Sequence, residues 1–82
     1  MPRYLVERTF AAAWAAAPSD TSAAHARQGV TWIHSYVAPD RLRSYCLVDG
    51  PSPEAVRLAA RAGDLPADRI TEVRLLDPSS IA

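Results

Sequence analysis

A helix start in the second half of the chain constrains the fold more than any other feature. Residues 50–54 read Gly-Pro-Ser-Pro-Glu, so that Ser52 can cap a helix whose first position is a proline. Glu54 faces the positive end of the helix dipole, which is favourable for a carboxylate. The helix is predicted to run to Ala62 and to end at Gly63.

Four segments alternate in polarity or are rich in β-branched and aromatic residues, as strands are. They are Arg3–Thr9, Val30–Val37, Arg43–Asp49 and Ile70–Leu76. Residues 38–41 read Ala-Pro-Asp-Arg, which is turn chemistry, so the second and third strands are expected to form a hairpin. A short helix is predicted over Ser19–Gln28, and Gly29 ends it where a left-handed residue costs least.

The order of these elements is strand, helix, strand, strand, helix, strand, which predicts a ferredoxin-like α+β sandwich. Two helices would cover one face of a four-stranded antiparallel sheet, and residues 1–82 would form a single domain. A chain of this length buries only about 60% of its unfolded surface. We therefore expect a homodimer in which a second copy closes the face that the helices leave open.

Composition argues against several classes of protein. The nine Lys and Arg residues are scattered and balance the nine Asp and Glu residues, so neither nucleic acid nor a membrane surface is expected as a partner. No segment is long and apolar enough for a signal peptide or a membrane span, and the protein is expected in the cytoplasm. One cysteine and no Cys-x-x-Cys or His-x-x-x-His spacing predict neither an internal disulfide nor a standard zinc module. A metal site would have to be assembled from separate strands or from two subunits.

Strand alternation sorts the side chains between two faces of the predicted sheet. The helices are expected to cover the more apolar face, formed by Val6, Ile33, Val37, Cys46, Val48, Val73 and Leu75. The uncovered face would then carry Leu5, Glu7, Thr9, Trp32, His34, Tyr36, Tyr45, Leu47, Asp49, Ile70, Glu72 and Arg74. One imidazole, three carboxylates and three large aromatic side chains on one surface are typical of a binding pocket.

Two functions fit this uncovered face, and the residues alone do not choose between them. An imidazole with carboxylates can hold a divalent transition metal, here through His34, Glu7 and Glu72. Alternatively, the same three residues are candidate catalytic groups for a small organic metabolite, with His34 as general acid or base. No organic cofactor is indicated. The candidate ligand-binding residues are Trp32, Tyr36, Tyr45 and Asp49.

Each of these residues also has a purely structural interpretation. His34 and the aromatic side chains could pack at a dimer interface, and the glutamates could pair with neighbouring arginines such as Arg74. Cys46 is expected on the helix-covered face as a small core residue. His25, in the first helix, is expected to be solvated.

Five stretches of the sequence form an ordered set: Glu7–Phe10, Gly29–Val37, Tyr45–Cys46, Pro51–Val56 and Leu65–Val73. This set resembles a family of small bacterial ferredoxin-like proteins of unknown function, some of whose members are labelled nickel-binding. The resemblance implies a ferredoxin-like homodimer that binds nickel or another divalent transition metal. It also implies that four residues occupy matching positions, namely Glu7, His34, Cys46 and Glu72. Relatives labelled nickel-binding often carry histidines where this chain has Ala59 or a neighbour and Leu65, which implies weaker nickel binding here.

Overall fold

The structure is a computed structural model that describes residues 1–14 and 18–80. Its elements are β1 (Arg3–Thr9), α1 (Pro18–Ala26), β2 (Thr31–Val37), β3 (Arg43–Asp49), α2 (Pro53–Ala62), β4 (Arg69–Val73) and a 3₁₀ turn (Pro78–Ser80). The bounds of β1, β3 and α2 are those predicted from the sequence, whereas β2 begins one residue later and β4 ends at Val73. No helix in the described ranges is long and apolar enough to cross a membrane.

The four strands form one antiparallel sheet in the order β2-β3-β1-β4. Both helices lie on the same side, since α2 supplies core residues against the central strands and α1 contacts both α2 and β2. This arrangement confirms the predicted ferredoxin-like sandwich. Within residues 1–14 and 18–80, the opposite side of the sheet carries no helix, so its side chains face outward.

The core lies between α2 and the two central strands. Val48 of β3 and Val56 of α2 are fully buried and belong to one apolar cluster. Gly50, between β3 and α2, is buried against this cluster. A Cβ at Gly50 would lie 3.1 Å from a methyl group of Val56 and 3.2 Å from a methyl group of Val30. A side chain at position 50 would therefore require Val56 and Val30 to move by a few tenths of an ångström.

Each helix ends in hydrogen bonds that turn the following residue into the core. After α1, Gly29 is left-handed (φ +74°), and the Val30 N–H donates to the His25 carbonyl over 3.0 Å. After α2, Asp64 is the left-handed residue (φ 56°), and the Leu65 N–H donates back to the last turn of the helix over 2.8 Å. Both ends follow the Schellman pattern. Val30 and Leu65 are buried as a result.

Buried polar groups on the helix side include one that the sequence prediction placed in solvent. Cys46 is fully buried beside Ser44, which confirms its predicted position. His25 is also fully buried, with its ring 5.2 Å from that of Trp32. The prediction of a solvated His25 is wrong because this part of α1 packs against the start of β2.

β2 contains a bulge that reverses its side-chain alternation. Trp32 is paired with Val48 and His34 with Leu47, so Ile33 is an extra residue on β2. Such a bulge moves every later side chain to the opposite face. Trp32 precedes the bulge and is paired with the buried Val48, so it lies on the helix-covered face, and its predicted place on the uncovered face is wrong. His34 lies on the face without helices, as predicted.

β4 also presents its side chains to the faces opposite to those predicted. Val6 is paired with Ile70 and Tyr4 with Glu72. Because Val6 and Tyr4 face the helices, Ile70 and Glu72 do so as well, and Val73 lies on the other face. The strand reads Arg-Ile-Thr-Glu-Val, which puts one apolar residue on each face, so polarity alone does not fix its register. The packing of Ile70 against the core decides it.

Candidate metal and ligand sites

The open face is the side of the sheet that carries no helix in the described part of the chain. Cross-strand pairing arranges its side chains in rows. In strand order the rows are Thr31-Asp49-Arg3-Val73, His34-Leu47-Leu5-Thr71, Tyr36-Tyr45-Glu7-Arg69 and Arg43-Thr9. The open face thus brings together most, but not all, of the site residues predicted from the sequence.

Two of the three candidate metal ligands lie on the open face. His34 is exposed on the outer strand β2, and Glu7 is half-buried on the central strand β1, two strands away and one row along. Neighbouring strands are about 4.8 Å apart and successive rows on one face about 6.7 Å apart, so the two Cα atoms are about 12 Å apart. One copy of the chain therefore presents an imidazole and a carboxylate at separate points.

Glu72, the third candidate metal ligand, lies on the other side of the sheet. It is exposed and is paired with Tyr4. Burial, and then the nearby carboxylates of Glu72 and Glu54, raise the pKa of Tyr4. Glu72 is therefore near the first turn of α2 and not beside His34. Across residues 1–14 and 18–80, no group of three or more His, Cys, Asp and Glu side chains could hold a metal ion.

Asp49, a candidate ligand-binding residue, is engaged in an ion pair at the end of the open face. Arg3 donates from Nε to Oδ1 over 2.9 Å and from Nη2 to Oδ2 over 3.3 Å. This two-point hydrogen bond holds the pKa of the Asp49 carboxyl below its ordinary range. A ligand that used this carboxylate would have to compete with Arg3.

Tyr36 and Tyr45 are cross-strand neighbours on the open face. Tyr36 is 64% exposed and Tyr45 37% exposed. The rings of His34 and Tyr36 meet edge to face, with their centroids 5.3 Å apart and their planes at 85°. Together with the half-buried Leu5 and Leu47, the tyrosines form an apolar patch suited to contact with another surface.

Trp32 does not lie on the open face and lines a cleft along the outer edge of β2. Its indole N–H donates to the hydroxyl of Ser35 over 2.7 Å, which fixes the orientation of the ring. His34 borders both this cleft and the open face. The cleft, called the β2 cleft below, has a volume of about 380 Å³ and is lined by Trp14, Ser22, Trp32, Ile33, His34, Ser35, Val37 and Arg41.

Trp14 and Trp32, which form one wall of the β2 cleft, belong to a column of packed aromatic rings. Phe10 and Trp14 stack with centroids 5.3 Å apart and planes within 3° of parallel. Trp14 and Trp32 stack at 6.0 Å and 14°, and His25 packs against Trp32 as well. Sequence reasoning missed this wall because residues 10–28 have no clear hydrophobic period. Its only signal was a tryptophan in an otherwise alanine-rich stretch.

The model of one protein family matches residues 4–73, from β1 to the end of β4. That family is described as nickel responsive proteins that are SCO4226-like. The chain belongs to the SCO4226-like family. No curated protein gives a significant match to it.

A solved structure has the same fold as this SCO4226-like chain. It is the crystal structure of SCO4226 from Streptomyces coelicolor A3(2), with a TM-score of 0.77 and 24% sequence identity. The superposition covers 92% of this chain and 99% of that one. The similarity supports the ferredoxin-like architecture over nearly the full length of both chains.

The segment that matches the SCO4226-like family includes all three candidate metal ligands predicted from the sequence. The structure brings Glu7 and His34 to one face and Glu72 to the other. The segment also contains both halves of the aromatic wall, Trp14 and Trp32. The family match therefore covers two separate candidate sites, the open face and the β2 cleft.

Proposed function

We propose that this SCO4226-like protein is a nickel-binding homodimer whose metal site forms between the open faces of two copies. His34 and Glu7 of each copy supply the ligands. The family's description as nickel responsive supports the identity of the metal. The positions of His34 and Glu7 on the sheet support the location of the site.

The observation that carries this proposal is that His34 and Glu7 share the open face. Ordinary strand spacing puts their Cα atoms about 12 Å apart. One copy offers one imidazole and one carboxylate, which are fewer protein ligands than a transition-metal site commonly uses. A two-fold axis through the open face doubles every group, because an isologous interface uses the same surface on both partners. Two imidazoles and two carboxylates suit nickel and other divalent transition metals.

The remainder of the open face supports a second copy as the partner. Leu5, Leu47 and Tyr45 form an apolar centre, while the ion pair between Arg3 and Asp49 lies at one end. Stable interfaces share this pattern of an apolar, aromatic centre and a polar rim. Small domains of this length also have the most to gain from burying such a face.

Calorimetric titration with nickel tests the proposed ligands. His34→Ala removes the imidazole and should abolish the binding heat, because carboxylates alone are poor ligands for nickel. Glu7→Gln removes the charged oxygen donor and should weaken binding at least tenfold. Neither substitution touches the buried core, so both variants should keep the circular dichroism spectrum of the wild type.

Glu72→Gln is the matched control, since it makes the same chemical change on the opposite face of the sheet. It should bind nickel as tightly as the wild type does. Equal weakening by Glu72→Gln and Glu7→Gln would place the metal elsewhere, and so would unchanged binding by His34→Ala.

The geometry favours this function over the acid–base alternative predicted from the sequence. A general base needs an orienting partner within hydrogen-bond reach, at about 2.6–3.2 Å. Within one copy, Glu7 lies about 12 Å from His34 between Cα atoms, so it is not placed to orient the imidazole. Catalysis by His34 on a small organic substrate stays a prediction from the sequence.

A further inference from the structure

The β2 cleft lies outside the proposed metal site. Its β2 residues Trp32, Ser35 and Val37 are paired with core-facing residues of β3, so the cleft opens on the helix side of the sheet. It is bounded by α1 and by the turn between β2 and β3. Apart from His34, none of the residues that line it belongs to the open face. A ligand here would therefore be recognised by a different set of side chains.

The wall of the cleft is apolar. Trp14 and Trp32 stack on each other with their planes 14° from parallel, and Ile33 and Val37 extend the apolar surface. The Trp14 indole N–H is buried and has no acceptor among the residues that the structure describes. A buried donor without an acceptor is unfavourable.

Arg41 supplies a positive charge at the mouth of the cleft. Arg41 makes two hydrogen bonds to the backbone of Trp14. Its carbonyl accepts the Trp14 backbone N–H over 2.9 Å, and its Nε donates to the Trp14 carbonyl over 2.8 Å. Its two terminal amino groups have no hydrogen-bond partner within residues 1–14 and 18–80. None of the described residues that line the cleft is acidic. The charge of Arg41 is thus available to an anion.

We propose that the β2 cleft binds a small aromatic carboxylate, with the ring against Trp14 and Trp32 and the carboxylate on the terminal amino groups of Arg41. A planar guanidinium pairs with a carboxylate through two parallel hydrogen bonds. The apolar wall favours a ring, and the absence of acidic residues in the described lining favours a negative charge. A volume of about 380 Å³ is at the lower end for ligand pockets and suits a molecule of one or two rings.

Nuclear magnetic resonance provides a direct readout, because the chain has two tryptophans and both line the cleft. The two indole N–H signals of ¹⁵N-labelled protein are followed during titration with benzoate, benzamide and acetate. Benzamide keeps the ring without the charge, and acetate keeps the charge without the ring. Benzoate should shift both signals saturably, and each of the other probes should bind at least tenfold more weakly.

Arg41→Gln tests the role of the charge, with Arg43→Gln as the matched control on the open face. Arg41→Gln should weaken benzoate binding about tenfold or more and leave benzamide binding nearly unchanged. If Arg41 only clamps Trp14, both probes will lose affinity equally and the proposed ion pair is wrong. Arg43→Gln should bind benzoate as the wild type does.

The nickel proposal and the cleft proposal fail independently. Glu7→Gln, which should weaken nickel binding, should leave the benzoate titration unchanged because Glu7 is not part of the cleft. The cleft proposal is overturned if millimolar benzoate shifts neither indole signal, or if benzoate binds no more tightly than benzamide and acetate.

Discussion

The two faces of the sheet are built from the same strands but differ in how fully the rest of the chain covers them. On β3, Cys46 and Val48 are completely buried against the helices. Their immediate neighbours Tyr45 and Leu47 point the other way, and Tyr45 is 37% exposed. The helix-covered face therefore stabilises the fold of one copy, whereas the open face is the surface on which we propose the metal site and the second copy.

The role of a residue on the sheet is therefore set by its face rather than by its chemical type. Glu7 and Glu72 are both strand glutamates on neighbouring, paired strands. Only Glu7 shares a face with His34, and Glu72 instead contributes to raising the pKa of the buried Tyr4. Substitutions at adjacent positions are thus the sharpest way to test the contrast between the faces.

Aspartate substitutions at two adjacent positions of β3 should differ most in their effect on stability. Val48→Asp buries an unpaired carboxylate in the core, which costs several kcal/mol and is comparable with the whole stability of a small domain, about 5–15 kcal/mol. We expect this variant to be unfolded or to unfold well below the wild-type temperature. Leu47→Asp should keep the fold and instead shift the proposed homodimer toward monomer. Circular dichroism melting and sedimentation velocity separate the two results.

The contrast between the faces would break if Leu47→Asp unfolded the protein as Val48→Asp does. It would also break if Leu47→Asp folded and the assembly state matched that of the wild type under every nickel concentration tested. The first result would mean that the open face belongs to the core, and the second that it is not an interface.

Gly50→Ala should have the next largest effect, and it acts on the helix side alone. The added methyl group would lie 3.1 Å from Val56 and 3.2 Å from Val30, closer than relaxed packing allows. Overpacking of this kind costs about 1–3 kcal/mol. Chemical denaturation should show a lower midpoint with an unchanged slope. A variant as stable as the wild type would show that the core around α2 is looser than the structure indicates.

Ser52→Ala should have a smaller effect at the start of α2. The Ser52 hydroxyl accepts the Ala55 N–H over 3.2 Å, so its loss leaves an end of the helix uncapped and should cost about 1 kcal/mol. Ser52→Gly is the matched comparison and should cost only a few tenths of a kcal/mol. Equal losses for the two variants, measured by denaturation, would contradict a role for the hydroxyl.

The ion pair at the end of the open face should give the smallest effect, and it depends on pH. Arg3 lowers the pKa of Asp49 in the folded protein, so the pair stabilises the fold above the ordinary carboxyl pKa of about 4. That contribution is lost as the pH falls below about 4 toward the lowered value. Asp49→Asn should therefore flatten the fall in melting temperature with acid. An identical acid profile for the variant and the wild type would show that the pair does not stabilise the fold.

The sequence predicted most of the fold because its strongest local signals agree with the tertiary structure. Ser52 and the following proline determined the start of α2, and the Ser52 cap is present as predicted. Gly29 is left-handed after α1, as its position indicated. Regular alternation in β1 and β3 assigned the faces correctly, including those of Glu7 and Cys46.

The rest was not predictable from local pattern because tertiary packing decides it. A bulge at Ile33 has no marker in the sequence, yet it places the side chains of Trp32 and His34 on opposite faces of the sheet. β4 is too short and too evenly divided in polarity for its register to be read from alternation, so Glu72 was assigned to the wrong face. His25 is buried because it packs against Trp32 of β2. The sequence of α1 has no apolar stripe that would indicate which of its side chains are buried.

Methyl resonances test whether nickel binds at the open face. Leucine and valine methyl groups are followed while nickel is added to the wild-type protein. We expect the Leu5 and Leu47 signals, on the open face, to shift or broaden, whereas those of Val6 and Val48, one residue along each strand, should change little. Changes confined to the helix-covered face, or no change at saturating nickel, would contradict the proposed metal site.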